Sequence, residues 1–223
     1  MHTHSNDFKK NVTPDIALQI LREGNERFMK NLKTNRDLLE QVNETAEGQS
    51  PFATILSCMD SRTSAELIFD QGLGDIFSIR IAGNVLNEDI LGSMEYATQV
   101  IGTKLLLVLG HTRCGAIMGA CDGIELGNLT QLLEKIEPAI LNETETTSNR
   151  NAANPGFVKN VTELNVINTI ERIRHESPII SQLETEGRIK IMGGIYDVET
   201  GKVNFLDMAA KSAAVPLAQY LES

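Results

Sequence analysis

Apolar and polar positions along the chain alternate between two regimes. Ala17, Ile20, Leu21, Gly24 and Phe28 recur at helical spacing after Thr13-Pro14, which reads as an N-cap followed by the first helical residue. This predicts a helix over 14–31, with a second polar helix or loop over 34–47. From Pro51 the texture changes. Short, nearly continuous apolar runs at 51–58, 75–83 and 104–110 read as buried strands. The pattern predicts helices between them at 64–71 and 88–102, the second with Ile90, Met94, Ala97 and Ile101 on one face. Helices are also expected at 128–141 and 155–175, the second with Phe157, Val161, Leu164, Ile167 and Ile170 inward and Pro178 interrupting or ending it. The polar stretch 143–150 is an expected loop. Residues 188–198 and 202–206 read as two strands around a Glu199-Thr200-Gly201 turn, and 207–221 as a final helix.

Apolar strands alternating with helices predict an α/β fold. Its centre is a mostly parallel sheet flanked by helices, with an N-terminal helical extension and a late antiparallel edge strand. No linker or repeat divides the chain, so 1–223 is expected to form one domain. Within it, 1–12 is an expected frayed tail and 13–47 a helical dimerisation arm.

Charge narrows the function. Thirty acidic against twenty basic residues leave a net charge of −10, which repels phosphate and argues against nucleic-acid and anionic-membrane partners. No apolar run reaches the roughly 20 residues that span a bilayer. No secretory signal is visible, and three cysteines do not make a disulfide framework, so a reducing, cytoplasmic location is expected.

Two clusters carry chemistry. Cys58-Met59-Asp60-Ser61-Arg62 stands where the first strand stops, and His111-Thr112-Arg113-Cys114-Gly115 where the third stops. Open α/β sheets place their sites at such carboxyl ends. Cys58, His111 and Cys114 offer two thiolates and an imidazole, a set suited to Zn²⁺. Asp60 is a candidate weak fourth ligand, and Arg62 a bidentate partner that would hold it off the metal. Two readings stand beside this one: each cysteine as a packed apolar residue, and a closed structural zinc with Asp60 bound. Cys121 reads as a packed or surface thiol, His175 as structural, and His2 and His4 as tail residues.

At these clusters the sequence resembles the β-class carbonic anhydrases, which carry Cys-x-Asp-x-Arg and His-x-x-Cys segments. Both occur here as CMDSR and HTRC, within LREGNERF (21–28), GQSPF (48–52), FDQGLGDIFSIRIAGN (69–84), MEYA (94–97), VLGHTRCGA (108–116), SPII (177–180) and GGIYDVETGKV (193–203). The resemblance implies a zinc lyase that reversibly hydrates carbon dioxide to bicarbonate and a proton. In it, zinc-bound hydroxide attacks carbon dioxide. It implies Cys58, His111 and Cys114 as metal ligands and Asp60 and Arg62 as the dyad that orients the nucleophile. Gln49, Phe77 and Tyr96 match substrate-pocket positions of one subgroup, in which they reach across from the neighbouring subunit. A dimer or tetramer follows. The absence of Trp favours that constitutively open subgroup over the one with an Asp-closed state. Met59 and Thr63-Ser64-Ala65 depart from the commoner neighbours. Two alternatives stay open: a same-fold hydrolase of another cumulated substrate such as carbon disulfide, and a non-catalytic bicarbonate- or metal-binding module.

Overall fold

The computed structural model describes residues 11–207. Its centre is a five-stranded sheet of order β2-β1-β3-β4-β5, built from β1 (Ala53–Ser57), β2 (Ile76–Arg80), β3 (Leu105–His111), β4 (Lys190–Tyr196) and β5 (Val203–Phe205). The first four strands are parallel, and β5 returns antiparallel to β4. Every residue of β1 and β3 is buried. Successive residues of a strand face opposite ways, so Ile55 and Leu107 enter one core while Leu56 and Val108 enter the other. That is why these strands are apolar throughout rather than alternating.

The N-terminal helix, α1 (Pro14–Met29), starts where expected, with Thr13 Oγ1 accepting from the Ile16 amide at 3.3 Å. Its buried stripe includes Ala17, Leu21, Gly24 and Asn25. Gly24 is required there, because a Cβ would lie 1.8 Å from the Phe69 carbonyl oxygen. Asn25 donates to the carbonyls of Ile68 and Gly201 and accepts from the Val203 amide, tying the helix to both edges of its neighbourhood. Val12, counted with the frayed tail on sequence grounds, is 4% exposed and packs in the same core as Leu21. The expected fraying therefore cannot extend to it. The second element of the arm, α2 (Leu38–Thr45), is helical, capped by Asp37. It buries Gln41 and leaves Leu38, Leu39 and Val42 exposed.

Several boundaries move, each for a local reason. The helix expected at 64–71 contracts to α3 (Ala65–Ile68). The second strand ends at Arg80 because the chain turns away through a 3₁₀ turn, Ala82–Asn84. The helix expected at 88–102 is α4 (Glu88–Glu95), which widens into a π-turn over Tyr96–Ile101 and stops at left-handed Gly102. After β3 comes α5 (Gly115–Cys121). The helix expected at 128–141 is two, α6 (Gly127–Glu134) and α7 (Glu137–Asn142). Pro138, which has no amide hydrogen to continue a helix, sits in the first turn of α7. The long helix α8 (Pro155–Glu176) is followed at once by α9 (Pro178–Thr185), with Ser177 capping it. The helix expected over 207–221 lies outside the described residues, apart from Asp207 at its start.

The arm is fastened to the domain by a buried carboxylate. Asp70 accepts from Arg27 Nε and Arg36 Nη1, each at 2.6 Å, and from Thr34 Oγ1 at 2.9 Å. Burial pushes the Asp70 carboxyl up, but these hydrogen bonds outweigh it and leave it below the usual carboxylate value. A depressed folded-state pKa contributes stability above the unfolded value of about 3.9, and that contribution is lost as pH falls through the folded value. Asp70→Asn keeps the left-handed backbone tolerated but removes the charge between two guanidinium groups. The expected result is a loss of about 3 kcal/mol at neutral pH by urea unfolding, with a shallower decline below about pH 4 than the parent shows.

Candidate metal centre

The strand order places the site. The chain passes from β1 to β2 on one side and to β3 on the other, so the carboxyl ends of β1 and β3 flank a point where the winding direction reverses. Ser57 pairs with Leu109, which brings Cys58, the next residue of one strand, level with the last two residues of the other. His111 ends β3, and Cys114 stands before the first residue of α5, with only Thr112 and Arg113 between them. Arg113 takes a left-handed conformation, φ 55°, to make that tight turn.

The ligand atoms of Cys58, His111 and Cys114 all lie within 4.8 Å of one another, and all three residues are buried. The two sulfurs are 3.9 Å apart. His111 Nδ1 faces the Thr112 carbonyl at 2.9 Å, which selects the Nδ1–H tautomer and leaves Nε2 with its lone pair toward the sulfurs. That buried Nε2 has no hydrogen-bond partner. A buried, unpaired imidazole nitrogen beside two sulfurs is an acceptor set lacking its cation, so these residues fit a metal of thiolate and imidazole preference. The hydrogen bond from Cys114 leads in lowering the Cys58 thiol, to about 4, and the same bond leads in raising Cys114.

Asp60 and Arg62 lie beside this cluster. Arg62 Nε and Nη2 donate to the two oxygens of Asp60 at 2.9 and 2.7 Å, and the Arg62 backbone amide adds a third bond at 2.9 Å. The guanidinium holds the Asp60 carboxyl far below the usual range. Its Oδ2 stands 4.0 Å from His111 Nε2, close to the ligand atoms but engaged by Arg62. Arg62 Nη2 also reaches the Arg113 carbonyl at 3.4 Å.

Gln49, Phe77 and Tyr96 are not part of this cluster within the chain. Gln49 is exposed and precedes β1, at the amino end of the strand whose carboxyl end carries Cys58. Phe77 is on edge strand β2, level with Thr54. It shares an open cleft of about 480 Å³ with Tyr96, which is 53% exposed on the π-turn. Cys121 is half-buried under α6 and α7, and His175 is exposed near the end of α8.

Other groups brace the centre without having stood out in the sequence. Thr63, one of the departures noted above, donates to the carbonyls of Cys58 and Asp60 at 2.8 and 2.9 Å. Arg80 grips the same two carbonyls from β2, at 3.2 and 2.6 Å. The Gly83 amide points at Cys58 Sγ from 3.4 Å. No residue-type pattern announces such bonds, because a threonine or arginine becomes a brace only through the fold that brings it to a carbonyl. Because their mutual hydrogen bond lowers one thiol of the pair and raises the other, loading the metal-free protein at pH 7 is expected to release about one proton from the cysteine pair rather than two. Calorimetric titration in buffers of different ionisation enthalpy measures that number.

Comparison with known proteins bears on the same residues. A family model described as carbonic anhydrase matches residues 53–203, which contain both clusters. The chain is 34% identical over 203 residues to carbonic anhydrase 2 of Mycobacterium tuberculosis, covering 88% of this chain and 95% of that protein. Among solved structures, a β-carbonic anhydrase of the fungal pathogen Aspergillus fumigatus superposes with a TM-score of 0.69 at 26% identity, covering 90% of this chain and 93% of that one. A tetrameric β-carbonic anhydrase of Sordaria macrospora gives 0.66 at 25% identity, covering 74% and 85%. With both metal-site segments inside the matched region and the fold shared, the chain belongs to the β-class carbonic anhydrase family.

Proposed function

We propose that the protein catalyses the reversible hydration of carbon dioxide to bicarbonate and a proton, with Zn²⁺ held by Cys58, His111 and Cys114. The observation that carries this reading is the convergence of two buried sulfurs and an unpaired imidazole nitrogen beside an Asp–Arg pair. When bound, zinc supplies Lewis acidity, which makes water a nucleophile near neutral pH. The chain's own residues do the rest. Asp60, kept ionised and turned aside by Arg62, remains a hydrogen-bond acceptor at the edge of the metal position. An acceptor there would receive a hydrogen bond from the attacking oxygen and so turn a lone pair toward the substrate carbon. Val85 and Ile117, buried with both cysteines, give an apolar wall suited to an uncharged linear molecule.

In this reading Gln49, Phe77 and Tyr96 complete the pocket of a second copy. Three features support it: their distance along the sheet from the chain's own cluster, the exposure of Tyr96, and the exposed apolar side chains of α2. The protein therefore works as a dimer or a larger even assembly. No described helix is long and apolar enough to cross a membrane. A cytoplasmic site of action accords with the reduced thiols the centre needs.

Stopped-flow hydration of carbon dioxide, on protein with quantified zinc, tests the reading. Asp60→Asn is expected to keep its zinc and lose about 10–100-fold in rate. Cys58→Ser is expected to lose both. A zinc-loaded parent without hydration activity would move the assignment to another cumulated substrate or to a binding role. Mixing tests the shared pocket. Cys58→Ser and Tyr96→Ala chains, each impaired alone, are expected to regain activity when refolded together, since one composite site per mixed dimer is then whole. Mixed protein no more active than its components would place Tyr96 outside the pocket.

A further inference from the structure

Cys58 receives at its sulfur backbone bonds from Asp60, two residues on, and from Gly83, and the Gly83 donor is itself held from far away in the chain. The Gly83 amide lies 3.4 Å from Cys58 Sγ. Gly83 is left-handed, φ 66°, in the 3₁₀ turn that follows β2. This conformation favours glycine, and a Cβ at that position would stand 2.9 Å from Ile136 Cδ1 and 3.3 Å from the Ala116 side chain. The turn is thus wedged from one side. From the other, Asn165 on α8 donates its side-chain Nδ2 to the Gly83 carbonyl at 2.9 Å. Asn165 is 3% exposed, so this bond is made inside the core. The next carbonyl, that of Asn84, faces Thr169 Oγ1 one helical turn further on, at 3.5 Å.

Gly83 is bonded through both of its backbone groups: its carbonyl to the helix, its amide to the Cys58 sulfur. Its φ and ψ are set by the tight left-handed turn, so a clamp on the carbonyl bears on the direction of the amide. A buried amide on α8 is not in itself a sign of function or of necessity for folding. Asn168, three residues on along the same helix and also buried, has neither side-chain atom bonded. Asn165 differs in being committed to a turn whose amide reaches a metal ligand.

We propose that Asn165 is a positioning residue for the metal centre: by clamping the Gly83 carbonyl it aims the Gly83 N–H at Cys58 Sγ, and so sets the donor strength and the hold of that ligand. A hydrogen bond to a coordinating thiolate withdraws electron density from sulfur and restricts its direction, the two ways in which groups outside a ligand set tune it. The proposal rests on the metal reading above.

Cobalt(II) is the probe, because thiolate-to-cobalt charge-transfer absorption reports the sulfur directly. Full-length parent, Asn165→Leu and Asn165→Ala are loaded with cobalt(II), and the metal is then removed with excess chelator. Leucine is close in size to asparagine, and alanine cannot clash, so either soluble variant decides the matter. The expected result is a charge-transfer band moved to longer wavelength, with metal lost about tenfold faster than from the parent. Asn168→Leu is expected to leave both unchanged. An Asn165 variant with the parent's band and release rate overturns the proposal. So does an Asn168→Leu protein that changes as much as the Asn165 variants, since that would be a general loosening of α8. A parent chain that takes up no cobalt overturns the metal reading itself, and so is distinct from failure of the clamp alone.

Discussion

The pairing of β1 with β3 is the constraint on which the rest of this molecule depends. Two parallel neighbours release their chains at the same end of the sheet, and here both releases carry ligands. The crossing from β1 to β2 leaves in the other direction, so the winding reverses at that end. The backbone amides and carbonyls freed where strands stop need partners, and most of the braces around the centre are side chains meeting that need. Thr63 and Arg80 satisfy the carbonyls of Cys58 and Asp60, and His111 satisfies that of Thr112. The same bonds that complete the backbone thereby fix the direction of each ligand.

The centre also gathers polar groups within the core: two sulfurs 3.9 Å apart and a buried imidazole nitrogen. Burying polar groups costs stability unless they are paired, and a cation held by all three would pair them. Asp60 would add a further charge, but Arg62 answers it with two hydrogen bonds and leaves it partly in contact with solvent. The arrangement keeps a carboxylate 4.0 Å from a ligand atom without letting it become one.

Polarity is handled differently at the arm. Asp70 is the single carboxylate between two arginines that belong to α1 and to the segment leading into α2. Its position after α3 ties the arm to the same helix that Asn25 grips through Ile68. The arm is therefore held by polar bonds at its root, while Leu38, Leu39 and Val42 of α2 are left without cover in the single chain. Apolar residues that a chain leaves uncovered on a well-anchored element are what an interface between copies requires.

Much of this was legible in the sequence. Runs such as KLLLVLG read as strands buried on both faces, and Cys-x-Asp-x-Arg and His-x-x-Cys at two strand ends pointed to the chemistry through residue type, spacing and family resemblance. Local rules failed where a local signal was overruled by neighbours. The helix expected over 128–141 breaks at a proline, and Val12 is drawn into the core by contacts that no pattern near the terminus announces. Gln49, Phe77 and Tyr96 could be named by resemblance but not located, and the fold sets them apart from the cluster that they were expected to join from another chain. The bracing groups could not be named at all: Asn165 meets Gly83 across 82 residues and Arg80 meets Cys58 across 22. Composition, periodicity and short spacings therefore determined the class of fold and the two candidate ligand segments, since each is a property of residues close in the chain. Tertiary structure alone decided what holds those ligands, because a hydrogen bond depends on distance in space, which a sequence does not carry.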